Sequence, residues 1–355
     1  MQSFAFAFLK SEKMAQKITT IKEIAKKLGI SISTVSRALH DNPSIGLQTR
    51  KRVQQLAKEL NYEPNQTAIF FQQRKTFTIG VILPQLSEAF FSAAISGIED
   101  HASLNKYTVL LAQSHDDQEK EKQIIETMKH HRVDGILMSI SKSTVNYEHL
   151  ESLKKFNIPI VFFDRIPKMP NIHYVACNMQ SGTSEAVDFL LKKGHRVIGM
   201  INGPETLLAS QDRVEGYIHA MRKNRLKYDP SLIISTDLTT EAVNLAIDQL
   251  LSSKRKTTAL VTFNDYVALE AVQHLKKLKV KINKDISFVS YANFPLTHYM
   301  EYAPLASVEQ FPYLQGQKAM ETLLELISKR KDEEDGTNTY YKIILESKLV
   351  IHKRN

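Results

Sequence analysis

Residues 20–39 read TIKEIAKKLGISISTVSRAL, and their spacing decides the architecture of the N-terminal part of the chain. Thr20 followed three positions later by Glu23 is the signature of a capping box, in which each side chain satisfies the other residue's backbone donor. Ile21, Ile24, Ala25 and Leu28 then share one helical face. Gly29 ends that helix by supplying a left-handed conformation that other residues resist. Ser31 can cap a second helix whose inward residues are Val35, Ala38 and Leu39, which leaves Ile32, Ser33, Thr34, Ser36 and Arg37 off the apolar stripe. Two helices joined by a short glycine turn read as a helix-turn-helix, whose second helix can reach base edges in a major groove. The same pattern also fits a three-helix bundle with a polar outer face.

A third helix follows the loop Asp41-Asn42-Pro43-Ser44, with Val53, Leu56, Ala57 and Leu60 as its stripe. Residues 14–62 thus form an expected small helical domain. Residues 14–75 carry eleven Lys/Arg against four Asp/Glu, most of the net charge of +9 on the 355-residue chain. A basic module on a near-neutral body is an electrostatic footprint of phosphate binding, although a solvated basic surface has the same composition. Residues 1–13 are expected to be a disordered tail. No run approaches the ~20 apolar residues of a membrane span. The lone Cys177 excludes an intrachain disulfide and fits a reducing, cytoplasmic setting.

From residue 78 the pattern changes. Apolar runs at 79–83, 107–111, 135–138, 158–163, 197–201, 259–263 and 286–291 alternate with amphipathic stretches such as 180–193 and 242–251. Strand–helix alternation means right-handed βαβ units on parallel sheets. The number of units exceeds one ordinary sheet, so residues 78–355 are expected to form a two-lobed α/β domain of the periplasmic-binding-protein type, linked to the headpiece by residues 63–77. A ligand of such a fold sits beyond the carboxyl ends of the strands, here between the lobes. Gly203-Pro204 lacks the further glycines of a phosphate loop, His130-His131 suits a helix end, and no nucleophile or metal-ligand spacing is present. No catalytic residue, metal or cofactor is therefore expected.

Residues 20–39 resemble the headpiece of the lactose/galactose repressor family. The likeness continues through Thr49-Arg50, Asn61-Tyr62-Glu63-Pro64-Asn65, Arg132-Val133-Asp134-Gly135-Ile136, Arg213-Val214-Glu215-Gly216-Tyr217, Asn264-Asp265 and Asp285-Ile286-Ser287. The resemblance implies a transcriptional regulator, a repressor whose homodimer binds a palindromic double-stranded DNA operator under the control of a small polar effector, a sugar or derivative. It implies that Thr20, Ile32, Ser33, Thr34, Ser36 and Arg37 serve DNA binding, with Ile32 and Ser33 at positions that distinguish operators. It also implies a hinge helix containing Asn65, Ala68 and Phe71. Phe71 matches an apolar wedge for the central base step; alternatively Phe70 and Phe71 pack on the effector domain.

In the body, the resemblance assigns effector contacts to Asp164, Arg213 and Asn264, an inter-lobe position to Gln310, and a pocket wall to Phe90 and Phe91. Arg213 could instead form a structural ion pair with Asp164 or Glu215. Asp265 is either a pocket residue or a helix cap. Many relatives carry an Asp where this chain has Ala292 in Ser290-Tyr291-Ala292-Asn293, so Asn293 is expected to replace part of its function. Family topology implies lobe crossovers near residues 176, 307 and 335, and residues 341–355 read as strand with no heptads after it. A periplasmic-type solute-binding protein without DNA function would share the body but lack the helix-turn-helix.

Overall fold

Three helices of the N-terminal unit, α1 (Ile21–Leu28), α2 (Ile32–Leu39) and α3 (Leu47–Glu59), pack around Ile24, Ala25, Val35, Ala38, Val53 and Ala57. The structure is a computed structural model that describes residues 19–63, 75–329 and 339–352. The hinge positions Asn65, Ala68 and Phe71, and the tail at 1–13, lie outside the described residues. The chain divides into two units, Met1–Lys75 and Thr76–Asn355. Thr76 and Phe77, assigned to the linker on sequence, are fastened to the second unit: both backbone N–H groups donate to the Asp134 carboxylate, at 2.8 and 2.9 Å.

The second unit holds two six-stranded sheets. The first lobe contains β1 (Thr78–Leu83), β2 (Thr108–Gln113), β3 (Gly135–Met138), β4 (Ile160–Phe163), β5 (His173–Cys177) and, near the C-terminus, β11 (Lys342–Leu345), in the order β11-β5-β4-β3-β1-β2. Its helices are α4 (Ala89–Leu104), α5 (Gln118–His130), α6 (Glu148–Lys155) and α11 (Pro312–Lys329). The second lobe contains β6 (Ile198–Asn202), β7 (Ile233–Ser235), β8 (Ala259–Thr262), β9 (Ser287–Tyr291), β10 (Ala306–Glu309) and β12 (Lys348–Ile351), in the order β12-β10-β9-β8-β6-β7. Helices α7 (Met179–Lys192), α8 (Leu208–Lys223), α9 (Thr240–Leu251) and α10 (Asp265–Lys277) cover it. Pairing is parallel throughout except between β10 and β12.

The chain passes between lobes after Cys177 and after Glu309, close to the expected 176 and 307. The third passage is not near 335; the C-terminal stretch is strand as expected, but in two pieces that belong to different lobes. Helix α11 stays on the first lobe, β11 pairs with β5, and only then does the chain cross at Glu346-Ser347 to pair β12 with β10. The side chain of Asn178 donates to Glu346 and its carbonyl accepts from the Ser347 hydroxyl at 3.0 Å, so the first and third crossovers are tied together. Strands β5, β7 and β10 escaped the sequence reading; β7 is three residues long, and β5 and β10 mix polar with apolar positions.

Each lobe contains one helix pair in contact through glycine. A Cβ on Gly97 would lie 2.1 Å from the Tyr313 carbonyl oxygen, and one on Gly316 would lie 2.0 Å from that of Ala94, so α4 and α11 meet backbone to backbone. In the other lobe a Cβ on Gly216 would lie 2.3 Å from the Gln180 oxygen, which brings α8 onto α7 and sets the position of Arg213 one turn earlier.

Candidate functional site

The headpiece has the local chemistry its sequence implies. The Thr20 hydroxyl accepts from the Glu23 N–H, and the Glu23 carboxylate accepts from the Thr20 N–H at 3.1 Å. Gly29 takes φ 64°. The Ser31 hydroxyl accepts from the Thr34 N–H at 3.1 Å and lies 2.8 Å from the hydroxyls of both Ser33 and Thr34. Ile32, Ser33 and Arg37 stand exposed on one face of α2, with Ser36 and Thr34 half-buried beside them. Ile32 is 46% exposed. The Arg37 Nε donates to the Ser33 carbonyl at 3.3 Å, which holds the guanidinium along that face. An isoleucine, a hydroxyl and a guanidinium in one row can meet a thymine methyl, a base edge and a phosphate.

The second unit brings residues from both lobes to a cleft at the carboxyl ends of the strands. Glu88, Phe90, Phe91, Asp164 and Arg165 line it from the first lobe, and Arg213, Phe263, Asn264, Ala292 and Phe294 from the second, with Gln310 at the crossover. Its free volume is about 40 Å³, room for a water or two, whereas sites for small molecules run to ~300 Å³ or more. The lobes therefore stand closed, with Phe294 of the second lobe packed in the apolar cluster that holds Phe90 and Phe91. A wider groove of about 500 Å³ on the hinge side shares Asp164 and Ala209 with this cleft, and another of about 400 Å³ on the opposite side shares Glu88 and Asn264. We place the site in the narrow cleft despite its size, because the charged groups of both lobes converge there.

Arg213 is the central group. Its guanidinium is buried between the rings of Phe263 and Tyr291, 4.3 and 4.4 Å from their centroids. One Nη donates to the Ala209 carbonyl at 3.2 Å, and among the described residues the buried Nε has no hydrogen-bond partner. Among the described residues, neither Asp164 nor Glu215 forms an ion pair with it, so the structural alternative is not what holds it. Burial lowers its pKa from the ordinary value. The half-buried Asp164 sits at φ 59°, a left-handed conformation that costs an L-residue of order 1 kcal/mol and here points β4 into the cleft. Asn264 caps α10 through its Oδ1, 2.9 Å from the Val267 N–H, leaving its amide nitrogen for other use. The Gln310 side chain is buried, with Nε2 3.7 Å from the Met179 sulfur.

Two sequence assignments need correction. Asp265 is neither a cap nor a cleft residue. Its fully buried carboxylate accepts from the Ser290 hydroxyl, from the Ser307 hydroxyl at 3.0 Å and from the Phe294 N–H at 2.7 Å. It thereby fixes Phe294, a cleft wall. Asn293 does not replace the missing carboxylate at Ala292: its amide donates to Glu309 at 2.9 Å and its oxygen lies 3.2 Å from His352, away from the cleft lining. The reason is backbone direction, since Ala292 and Asn293 both take positive φ, 87° and 52°, and turn the chain after β9.

Glu88, Arg165, Phe263 and Phe294 were missed on sequence. Arg165, Phe263 and Phe294 lie just past the ends of parallel strands and Glu88 precedes the helix that follows β1, and the strand-end rule could have found them. Burial raises the pKa of Glu88 and of Asp164, with Arg165 opposing it in both. A raised folded-state value means that the fold favours the protonated acid, a contribution present at low pH and lost as pH rises through that value. Ionised Glu88 is thus a cost at neutral pH. Glu88→Gln is expected to raise the thermal midpoint at pH 7, with the gain shrinking as pH falls through the raised value and gone once pH is below the ordinary carboxylate range. A lower midpoint at pH 7 would show that the carboxylate is a net stabiliser.

Known proteins align with this arrangement in both units. The model of the lacI family of bacterial regulatory proteins matches residues 20–65, and that of periplasmic binding proteins and the sugar-binding domain of the LacI family matches residues 76–347. The chain is 30% identical to the HTH-type transcriptional repressor PurR of Vibrio atlanticus, over 94% of this chain and 99% of that one. It is 31% identical to catabolite control protein A of Priestia megaterium, over 87% and 93%. The solved structure of the lac repressor dimer bound to operator and an anti-inducer shares the fold, with a TM-score of 0.77 at 23% identity over 94% of this chain and 98% of that one.

Proposed function

The chain belongs to the lacI family of bacterial regulatory proteins, and from that premise we propose how its own residues divide the work of an effector-controlled regulator. Family membership makes it a DNA-binding transcriptional regulator with a small-molecule effector domain, and a match over residues 20–65 disfavours a solute-binding protein without DNA function. In our reading a homodimer acts as a repressor in the cytoplasm, sets two headpieces on a palindromic operator, and catalyses no reaction. The described residues contain no helix long and apolar enough to cross a membrane. Ile32 and Ser33 select bases, while Arg37 holds phosphate.

The effector is a compact polar molecule of the sugar or sugar-derivative class. Glu88 and Asp164 of the first lobe accept its hydroxyl protons, and Arg213 of the second donates to its oxygens. The single observation that carries this reading is Arg213, a buried guanidinium with an unpartnered Nε, lining the cleft between the lobes. A buried donor left unmade costs about 1–3 kcal/mol, which a ligand oxygen would recover.

The test begins with a thermal-shift screen of sugars and sugar derivatives, since a ligand at ~100 times its Kd stabilises by about 2.7 kcal/mol. With the hit in hand, Arg213→Ala is expected to bind operator like the parent and to lose the effector response. A variant that responds like the parent removes Arg213 from the site.

A further inference from the structure

We propose that Lys142 is a positioning residue for the effector response: it latches the two lobes in their closed arrangement and is wired to the cleft through Asp116 and Arg165. The proposal rests on reading the cleft as the effector site.

Lys142 lies in the loop after β3, on the first lobe. Its Nζ donates to the Asp237 carbonyl of the second lobe at 2.9 Å, and its own carbonyl accepts from the Thr206 hydroxyl of the second lobe at 2.8 Å. One residue is thus held to two separate loops of the opposite lobe, away from the crossovers. Surface lysine contacts are ordinarily weak and mobile, because a long side chain loses rotamer freedom to make them. Here the loop beneath is rigid. The Ser141 N–H donates to the buried Glu121 carboxylate at 2.7 Å, the Thr144 hydroxyl donates to the same group at 3.0 Å, and the Val145 N–H donates to Gln118 at 2.9 Å. The cost of ordering the loop backbone is therefore met within the first lobe, before the lobes touch, and only the lysine side chain remains to be ordered.

The wiring runs through one oxygen. Asp116 Oδ1 accepts from the Lys142 N–H at 2.9 Å and from the Arg165 guanidinium at 2.6 Å. Arg165 lines the cleft beside Asp164, 4.0 Å away. His115 and Asp116 both hold positive φ, 54° and 59°. Two successive non-glycine residues in that region are strained, and the strain is what aims Asp116 between Arg165 and Lys142. A ligand that draws Arg165 or Asp164 toward itself moves the oxygen on which the latch loop hangs. Occupancy of the cleft and contact between the lobes then become one equilibrium, as an effector with different affinity for the two arrangements requires.

The latch can be tested without any effector. Leu86→Cys and Glu241→Cys put spin labels on exposed positions of the two lobes, and the only native cysteine, Cys177, is buried. Labelled full-length chain is diluted into excess unlabelled chain, and the inter-lobe distance distribution is measured. The parent is expected to give one narrow short distance. Lys142→Met keeps the stem and removes the donor; the ratio of long to short distances should rise roughly five- to tenfold. Thr206→Val should shift it the same way by less, and Lys142→Arg, which can still donate to a carbonyl, should restore the parent profile. A Lys142→Met distribution that superimposes on the parent's overturns the proposal, as does a Lys142→Arg chain as broad as Lys142→Met. The outcome is separable from that of the cleft reading. Lobes that open in Lys142→Met while Arg213→Ala still responds to effector leave the latch standing and the cleft assignment wrong.

Discussion

Operator affinity is expected to fall about 10³-fold between roughly 50 and 200 mM salt. The argument starts from charge placement. Of the headpiece cations, Lys22, Lys26, Lys27, Arg37, Lys51 and Arg52 are exposed, and Arg50 is paired to a carboxylate, 3.7 Å from Asp41. If about three of these neutralise phosphates in each headpiece of a dimer, about six condensed counterions are released, and the affinity scales with salt to nearly that power. Fluorescence anisotropy on a labelled palindromic site measures the slope directly. Affinity that changes less than about tenfold over that range would mean that the basic face is solvated surface rather than a phosphate contact. Arg37→Ala should reduce the slope by about two, one for each headpiece of the dimer, and weaken all related sites alike, since a phosphate contact carries no sequence information.

Gly316→Ala is expected to destabilise the effector domain by about 3 kcal/mol or more. In an exposed helix interior the same change would stabilise by roughly 1 kcal/mol, because alanine is the better helix former. The sign is therefore diagnostic. The added Cβ would meet the Ala94 carbonyl oxygen at 2.0 Å, and the contacted atom is backbone, so no rotamer change relieves it. Helices α4 and α11 would have to separate, opening the cluster of Ile98, Ala319 and Leu323 beneath them. Urea unfolding of the full chain, followed on the effector-domain transition, gives the number. A midpoint equal to or above the parent's would show that the crossing has slack.

Much of this protein was legible from spacing alone. In residues 20–39 the capping box, the glycine stop and the serine cap are interactions between near neighbours in the chain, so their geometry follows from residue order. The row Ile32, Ser33, Arg37 could be named for the same reason: helical periodicity decides which residues share a face. The parallel sheets were legible because buried strands are continuous apolar runs, and the cleft's general place followed from strand direction. The short or mixed strands β5, β7 and β10 were not, since nothing local marks them and their pairing is decided by strands far away in the chain.

What residue order determined is the two-part architecture and the outer face of α2; Arg213 was named as a cleft residue by the family resemblance, and the structure lines the cleft with it. What only the tertiary structure decided is which partners those groups meet. Asp265 could be read as cap or ligand group until Ser290, Ser307 and Phe294, 25 to 42 residues away, closed around its carboxylate. Asn293 was aimed at Glu309 and His352 by a backbone turn with positive φ that no residue type there announces. Lys142 looks like any loop lysine until the second lobe supplies Asp237 and Thr206. In each case the deciding term is a hydrogen bond between residues remote in sequence, whose geometry exists only once the second lobe has packed, and for Lys142 only once the two lobes meet.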